Sequence, residues 1–515
     1  RWAQIDVNLA LVDYRNMGPE ELGSIYESLL ELVPSVDPSA GQFGFVGLTD
    51  EGHASGHARK TTGSYYTPDS LVQQLITSAL DPVIKARVAS RPDAPTEALL
   101  DLTVLDPACG SGHFLLAAAR RLAEQLAELR AIDGGFRPED YRRALREVIS
   151  RCIFGVDKNP MALELARFAL WLEGFEPGRP LSFLNHHLVC GDALLGLMDF
   201  NQLKNGIPQA AFKALSGDDK TICQTLAKEN REFLKAWQKR QKLGWLFSKT
   251  DTHDIWQQLA TIEGLPESSV QDIEAKASAY AAFVTRTDTS PLHRAADCFV
   301  GAFLAGKEND QALNATPTTF DLLIELLDDP ADERHQQRLT SAQELCARNR
   351  VLHWPLVFPR LVEQGGFDCI LANPPWEVSQ LGEEEYFATR VPEIAALVGD
   401  KRKIAIAGLE AANPIIFSTF LADKHAYEAA NAFYRLSERF QLTAVGKLNT
   451  YALFSETISQ LIAAQGRAGF IVPTGIATDD TTKAFFAAIT QENKLVSLYD
   501  FENRDAIFPG VHRSY

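Results

Sequence analysis

From about residue 64 to residue 200, short runs of aliphatic and β-branched residues alternate with longer stretches whose apolar positions recur every three to four residues. LLDLTVLDPA, CIFGVD and HHLVCGD predict strands. HFLLAAARRLAEQLAELRA and NPMALELARFALWLE predict helices, and a further helix is expected at about 137–150. Strands alternating with helices imply βαβ units and a parallel sheet. FDCILANPP (367–375), AGFIVPTG (468–475) and KLVSLYDFEN (494–503) predict later strands of the same sheet. Between them, residues 200–350 are rich in Ala, Leu, Gln and charge, show helical spacing and no strand rhythm, and read as a helical insertion. At the start, ELGSIYESLLELV (21–33) has helical periodicity, and the Gly- and His-bearing stretch 39–60 reads as a loop or linker. The pattern divides the chain into 1–60, 61–200, 201–350 and 351–515.

A chain of 515 residues is too long for one hydrophobic core. With 46% hydrophobic and 23% charged residues it is too apolar to stay disordered, and no apolar run reaches the length that spans a bilayer. The seven cysteines are scattered, with no C-x-x-C pair and no Cys/His spacing suited to zinc, so free thiols in a reducing cytoplasm are expected and no metal is assigned. His53 and His57 sit in a Gly-rich loop, where solvent exposure is the ordinary reading. The formal charge of −17 taken alone argues against nucleic acid. The chemistry along the chain argues the other way.

Asp106-Pro107-Ala108-Cys109-Gly110-Ser111-Gly112 closes one strand and opens a helix. Its glycines permit a tight turn and close approach of a ligand to the backbone, and the helix start offers unpaired N–H groups. No G-K-[ST] follows, which disfavours a phosphate-binding P-loop. Asp157 ends the next strand, where a carboxylate can accept from both ribose hydroxyls of a nucleoside cofactor. Asp192, in Cys190-Gly191-Asp192, ends the third and can accept from an adenine amine. Asn373-Pro374-Pro375-Trp376 follows FDCILA. An aromatic amine is a poor nucleophile because its lone pair is delocalised. An Asn oxygen and a rigidly held carbonyl can take both amine hydrogens and direct that lone pair at an electrophile, while Trp376 offers a face to a flipped base.

In these motifs the sequence resembles the large gamma-class adenine-N6 DNA methyltransferases, of the type IIG restriction–modification and BREX or DISARM phage-defence kind. All four motifs occur in that family's order, and TGSYYTPDSLVQQLI (62–76) resembles its upstream cofactor segment, with Tyr66, Thr67 and Pro68 at the matching positions. The resemblance implies a Rossmann-like α/β sheet that binds S-adenosylmethionine. Tyr66, Thr67, Pro68, Asp106, Pro107, Ala108, Cys109, Gly110, Gly112, Asp157, Asp192 and Asn373 are its cofactor residues. Asn373, Pro374, Pro375 and Trp376 are catalytic. It further implies a double-stranded DNA substrate, methylation that marks host DNA as self, and possible partner subunits of a defence system. Residues 61–200 become the cofactor half and 351–515 the catalytic half; the resemblance does not cover the insertion.

Trp376 stands where the family more often has Tyr. In the family the sheet continues past a segment like DFENR, an aromatic soon after walls the base pocket, and a target-recognition domain follows. The chain stops at Tyr515 and lacks an initiator Met, so it is expected to be part of a longer protein. Residues 201–350 hold 18 basic and 21 acidic residues, but 228–249 hold seven Lys/Arg against two Glu, among Phe and Trp. Lys235, Trp237, Lys239, Arg240 and Lys242 there suit DNA backbone contact and base stacking, or equally an amphipathic helix that buries its aromatics. A cofactor domain need not be basic if a separate element grips the phosphates. Weak DNA binding by this segment alone is therefore expected. Two other classes remain open: a protein-glutamine methyltransferase, which also uses N-P-P-[YFW], and an inactive scaffold subunit of the same fold.

Overall fold

The structure is a computed structural model. It describes residues 2–5, 8–11, 23, 25, 33–37, 42–46, 67–131, 135–241, 249–327, 332–503 and 508; side chains are described from residue 67 on, apart from 236–241, 249–252, 361 and 362, and for Gly23 and Ile25. Strands β1 (Val104–Asp106), β2 (Ile153–Asp157), β3 (Leu188–Cys190), β4 (Phe367–Ala372) and β5 (Ile462–Phe470) form one sheet in the order β3-β2-β1-β4-β5. Every pairing is parallel, with Leu105 opposite both Phe154 and Ile370.

Alternation along these strands sends successive side chains to opposite faces. Val104, Ile153, Cys369 and Leu371 join one core, and Leu105, Phe154, Val156 and Ile370 join the other. The first face is covered by α1 (His113–Arg130), α2 (Pro138–Cys152) and α3 (Pro160–Glu173), with a helical run through Asp69–Leu75, Ile76–Leu80 and Asp81–Ser90. In α1, Phe114, Leu115, Ala118, Leu122 and Leu126 recur at helical spacing and are all buried.

The second face is covered from within 200–350. This stretch folds into α4 (Lys220–Gln241), α5 (Lys249–Glu263), α6 (Val270–Asp288), α7 (Pro291–Leu304), α8 (Thr319–Leu327) and α9 (Glu333–Asn349). Leu226, Phe299, Phe303 and Leu322 from these helices share one core with Leu105, Phe154 and Ile370 of the sheet. Full burial of a side chain such as Phe299 or Phe303 contributes about 2–3 kcal/mol. The inserted helices therefore belong to the layer that makes the sheet stable, rather than to a separate lobe.

Four departures from the sequence reading have physical causes. Residues 494–503 form no strand: Val496, Leu498, Tyr499 and Phe501 are exposed, and no described segment lies beside them to complete a ladder. The strand expected at 468–475 instead runs over Ile462–Phe470, because its register against β4 starts at Phe367↔Ile462. Within the stretch read as a loop, Gln42–Val46 pairs with Val33–Asp37 as an antiparallel hairpin, and Trp2–Ile5 pairs with Asn8–Leu11. Phe43 and Phe45 alternate with small or polar neighbours, which is a strand pattern. Of the helix read at 21–33, Gly23 and Ile25 are helical and the rest, up to the strand that begins at Val33, lies outside the described residues. Finally, a second helical excursion separates β4 from β5. It includes Glu383–Ala388, α10 (Asp400–Ala412) and α11 (Pro414–Leu436), around a small core of Tyr386, Phe387, Ile406 and Phe420. Among the described residues no helix is long and apolar enough to cross a membrane.

Candidate active site

Because the strands are parallel, their carboxyl ends share one edge, and the strand order reverses direction between β1 and β4. Ligands of open α/β sheets bind at such a switch point. The turn after β1 holds Gly110 at φ 52° and Gly112 at φ 92°, conformations that L side chains rarely adopt. A Cβ on Gly112 would also lie 3.0 Å from the Ala166 Cβ, so glycine lets the start of α1 close against α3. The turn is tied to β2: Cys109 N–H donates to the Val156 carbonyl (3.0 Å) and Gly110 N–H to Asp157 Oδ2 (2.9 Å).

Asp106 is 1% exposed, and its Oδ1 accepts from Ala108 N–H at 3.0 Å. Burial, with the nearby Asp157 charge adding to it, pushes its carboxyl up to about 8. Burial also raises Asp157, whose Oδ1 takes Asn159 N–H at 2.7 Å. At adjacent strand tips a buried and a half-buried carboxyl, Asp106 and Asp157, thus take hydrogen bonds only from backbone N–H groups among the described residues, leaving lone pairs for a ligand.

At the third tip, Asp192 Oδ2 accepts from Lys158 Nζ (2.8 Å) and Oδ1 from Leu194 N–H (3.0 Å). Asp192 also forms a parallel bridge to Val351, where the chain returns from the inserted helices, and its N–H donates to the Arg350 carbonyl at 2.7 Å. The Arg350 guanidinium reaches back to the Lys158 carbonyl. Arg439, fully buried, donates to the carbonyls of Ala193, Leu194 and Gly196 and fixes the turn that follows.

At the tip of β4, Asn373 Nδ2 donates to Thr67 Oγ1 at 3.0 Å. Its Oδ1 is buried with no hydrogen-bond partner. Thr450 opens α12 (Thr450–Leu461) and pins the turn: its Oγ1 donates to the Pro375 carbonyl (2.7 Å) and accepts from Glu377 N–H (2.9 Å). The Pro374 carbonyl receives no hydrogen bond from the described residues. Trp376 Nε1 donates to the Ile471 carbonyl at 3.2 Å, and Phe508 lies edge-on to the indole with centroids 5.2 Å apart. Asn503 and Phe508 exchange hydrogen bonds at 2.9 and 3.0 Å, which closes the loop that presents that ring. The Glu377 carboxyl is pushed up to about 7 by burial, offset in part by Lys158.

The structure therefore brings Thr67, Asp106 to Gly112, Asp157, Asp192 and Asn373 to Trp376 to one sheet edge, linked by the bonds above. Pro68 caps the helix Asp69–Leu75, and Tyr66 lies outside the described residues. Lys235 is exposed on α4; the side chains of Trp237, Lys239 and Arg240, and Lys242 as a whole, lie outside the described residues. On that helix Phe233 lies against Phe320 with centroids 4.6 Å apart and planes tilted by 40°, both rings being half-buried. Sequence reasoning missed Lys158, Glu377, Thr450 and Arg439 in and around the site. Lys158 and Glu377 directly follow motif residues, whereas the long-range partners Thr450 and Arg439 carry no local signal.

The five-stranded parallel sheet with its covering helices has the Rossmann-like architecture of S-adenosylmethionine-dependent methyltransferases. Residues 52–180 match the N-6 DNA Methylase family and residues 151–397 the Eco57I restriction-modification methylase family. The chain is 21% identical over 413 residues to a putative type II restriction enzyme and methyltransferase of Methanocaldococcus jannaschii, a match covering 70% of this chain and 30% of that protein. It is 28% identical over 172 residues to the adenine-specific methyltransferase PglX of Streptomyces coelicolor, covering 32% of this chain and 12% of that protein. A PglX of Lacticaseibacillus casei is 29% identical over 124 residues, or 24% and 10% of the two chains. The matched region thus spans less than a third of the length of these curated relatives.

Proposed function

We propose that this chain carries the catalytic region of a site-specific DNA adenine-N6 methyltransferase of a restriction–modification or phage-defence system, which methylates adenine from S-adenosylmethionine and so marks host DNA as self. The observation that carries the reading is the buried, unpartnered Oδ1 of Asn373, since an orphaned acceptor costs stability unless a ligand fills it. The residues present fit the cofactor. The left-handed Gly110 and Gly112 leave room for its methionine part, and the buried Asp106 and half-buried Asp157 offer lone pairs to its amine and ribose hydroxyls. Asp192, steadied by Lys158, is the acceptor for its adenine.

When bound, that cofactor supplies an electrophilic methyl group. Asn373 Oδ1 and the Pro374 carbonyl accept the two hydrogens of the target amine and concentrate its lone pair. Thr67 fixes the amide orientation by accepting from Nδ2, so that Oδ1 faces the target. Trp376, anchored through its indole N–H, gives an extruded adenine a face to stack on, and Phe508 braces it from the side. Duplex DNA, and other subunits of a defence system, are the partners this reading requires.

The test is transfer of labelled methyl from S-adenosylmethionine to DNA by the full chain, with N6-methyladenine identified by mass spectrometry. Asn373→Ala should abolish the product while leaving the melting temperature within a few degrees of wild type. Label on protein alone, or undiminished transfer by the variant, overturns the reading.

A further inference from the structure

The opposite, amino-terminal edge of the sheet holds a second constellation. A cavity of about 700 Å³ opens there, lined by His187, Glu263, Arg360, Arg87 and Asp368 among others. His186 and His187 immediately precede β3, and Glu263 is the last residue of α5. One ligand atom from each of these three side chains lies within 4.8 Å of the other two. Both imidazoles are buried, at 3% and 2% exposure, and the Nδ1 of each has no hydrogen-bond partner.

The surroundings hold these groups as ligands. His186 stacks on Phe183 (centroids 5.5 Å, 11°), and His187 lies 4.0 Å from the Phe154 ring. Arg360 lies over the Phe154 and Trp256 rings and donates to Glu263 Oε2 at 3.3 Å. Lys276 is spent on the Glu263 carbonyl and on Glu267.

A second trio, His293, Asp297 and His353, is equally close, and there both imidazoles already lie on the one carboxylate, His293 Nδ1 at 3.2 Å from Asp297 Oδ2. His353 Nδ1 accepts from Leu197 N–H at 3.3 Å, so its proton sits on Nε2 and is donated to Asp297 Oδ1 at 3.2 Å. Both nitrogens of that ring are used, and no metal is required there.

We propose that His186, His187 and Glu263 form a binding site for a divalent transition metal of the zinc type, with water from the cavity completing the coordination. Two imidazoles and one carboxylate suit Zn²⁺, Co²⁺ or Ni²⁺ rather than Mg²⁺ or Ca²⁺. Bonds of about 2.0–2.2 Å would draw the trio closer together than it lies in the ion-free chain. The ion clips the inserted helices, through α5, to the sheet, far along the strands from Asn373. It is independent of the methyl-transfer reading.

The full chain, stripped with chelator, is titrated with Co²⁺ and followed by visible d–d absorption and by melting temperature. One Co²⁺ per chain, displaced by Zn²⁺ with a rise in melting temperature, is the expected result. Glu263→Gln should weaken binding at least tenfold, as should His187→Ala, whereas Cys190→Ser and His253→Ala should bind as wild type does. If a histidine variant does not fold, the Glu263→Gln comparison decides. No absorption band in wild type, or unchanged binding in Glu263→Gln, overturns the site.

Discussion

Asp106→Asn tests the electrostatics of the site without any ligand. Burial raises the Asp106 carboxyl from 3.8 to about 8 in the folded chain. Below pH 4 both folded and unfolded forms are protonated and the residue costs nothing through ionisation. Between pH 4 and 8 the unfolded chain loses the proton while the folded chain keeps it, so stability falls as pH rises. At 1.36 kcal/mol per unit the full displacement reaches on the order of 5 kcal/mol above pH 8, and about 3 kcal/mol is already lost at pH 6. Asparagine keeps the Oδ1 that accepts from Ala108 and removes the titration, at a cost of about 1–2 kcal/mol for its unpaired amide hydrogens. The variant should be slightly less stable than wild type at pH 4.5 and more stable by a few kcal/mol at pH 8.5. Urea denaturation across that range reads the crossover directly. Parallel stability curves for the two proteins would refute the claim that this carboxyl is buried without a cationic partner.

Thr67→Val removes the acceptor for Asn373 Nδ2 at nearly constant volume. Single-turnover methyl transfer at saturating cofactor should fall roughly tenfold, equivalent to about 1.4 kcal/mol, with Thr67→Ser close to wild type. In the inserted helices His335 lies between Asp321 Oδ1 (3.0 Å) and Glu325 Oε1 (2.7 Å). Its imidazole is pushed up to about 9 by these carboxylates against the effect of burial. A raised histidine stabilises fully below its unfolded value near 6.5, and that contribution is lost as pH rises through about 9. Denaturation of wild type should therefore become easier between pH 7 and 9.5, and His335→Gln should flatten that part of the profile.

The strand tips were readable because each is written in neighbouring residues. Gly110 and Gly112 mark a left-handed turn wherever the chain goes next, and Asn373-Pro374-Pro375-Trp376 carries its stiffness in its own covalent structure. The strand at 494–503 was misread for the converse reason: alternation shows what a strand prefers to bury, but a strand exists only when another edge supplies its hydrogen bonds. Thr450 lies 75 residues after the Pro375 carbonyl it holds, and Thr67 306 residues before the Asn373 it orients. Such partners have no local periodicity to announce them.

By itself the sequence determined the alternation of strands and helices, the order of the cofactor and catalytic motifs, and the residue types at each strand end, because these depend on spacing along the chain. Tertiary structure alone decided that the inserted helices form the second covering layer of the sheet, that Asn373 keeps one amide oxygen unpaired while Thr67 occupies the amide nitrogen, and that His186, His187 and Glu263 meet at the far edge. Those outcomes depend on which distant surfaces are excluded from water together, and burial of that kind is a property of the folded chain as a whole.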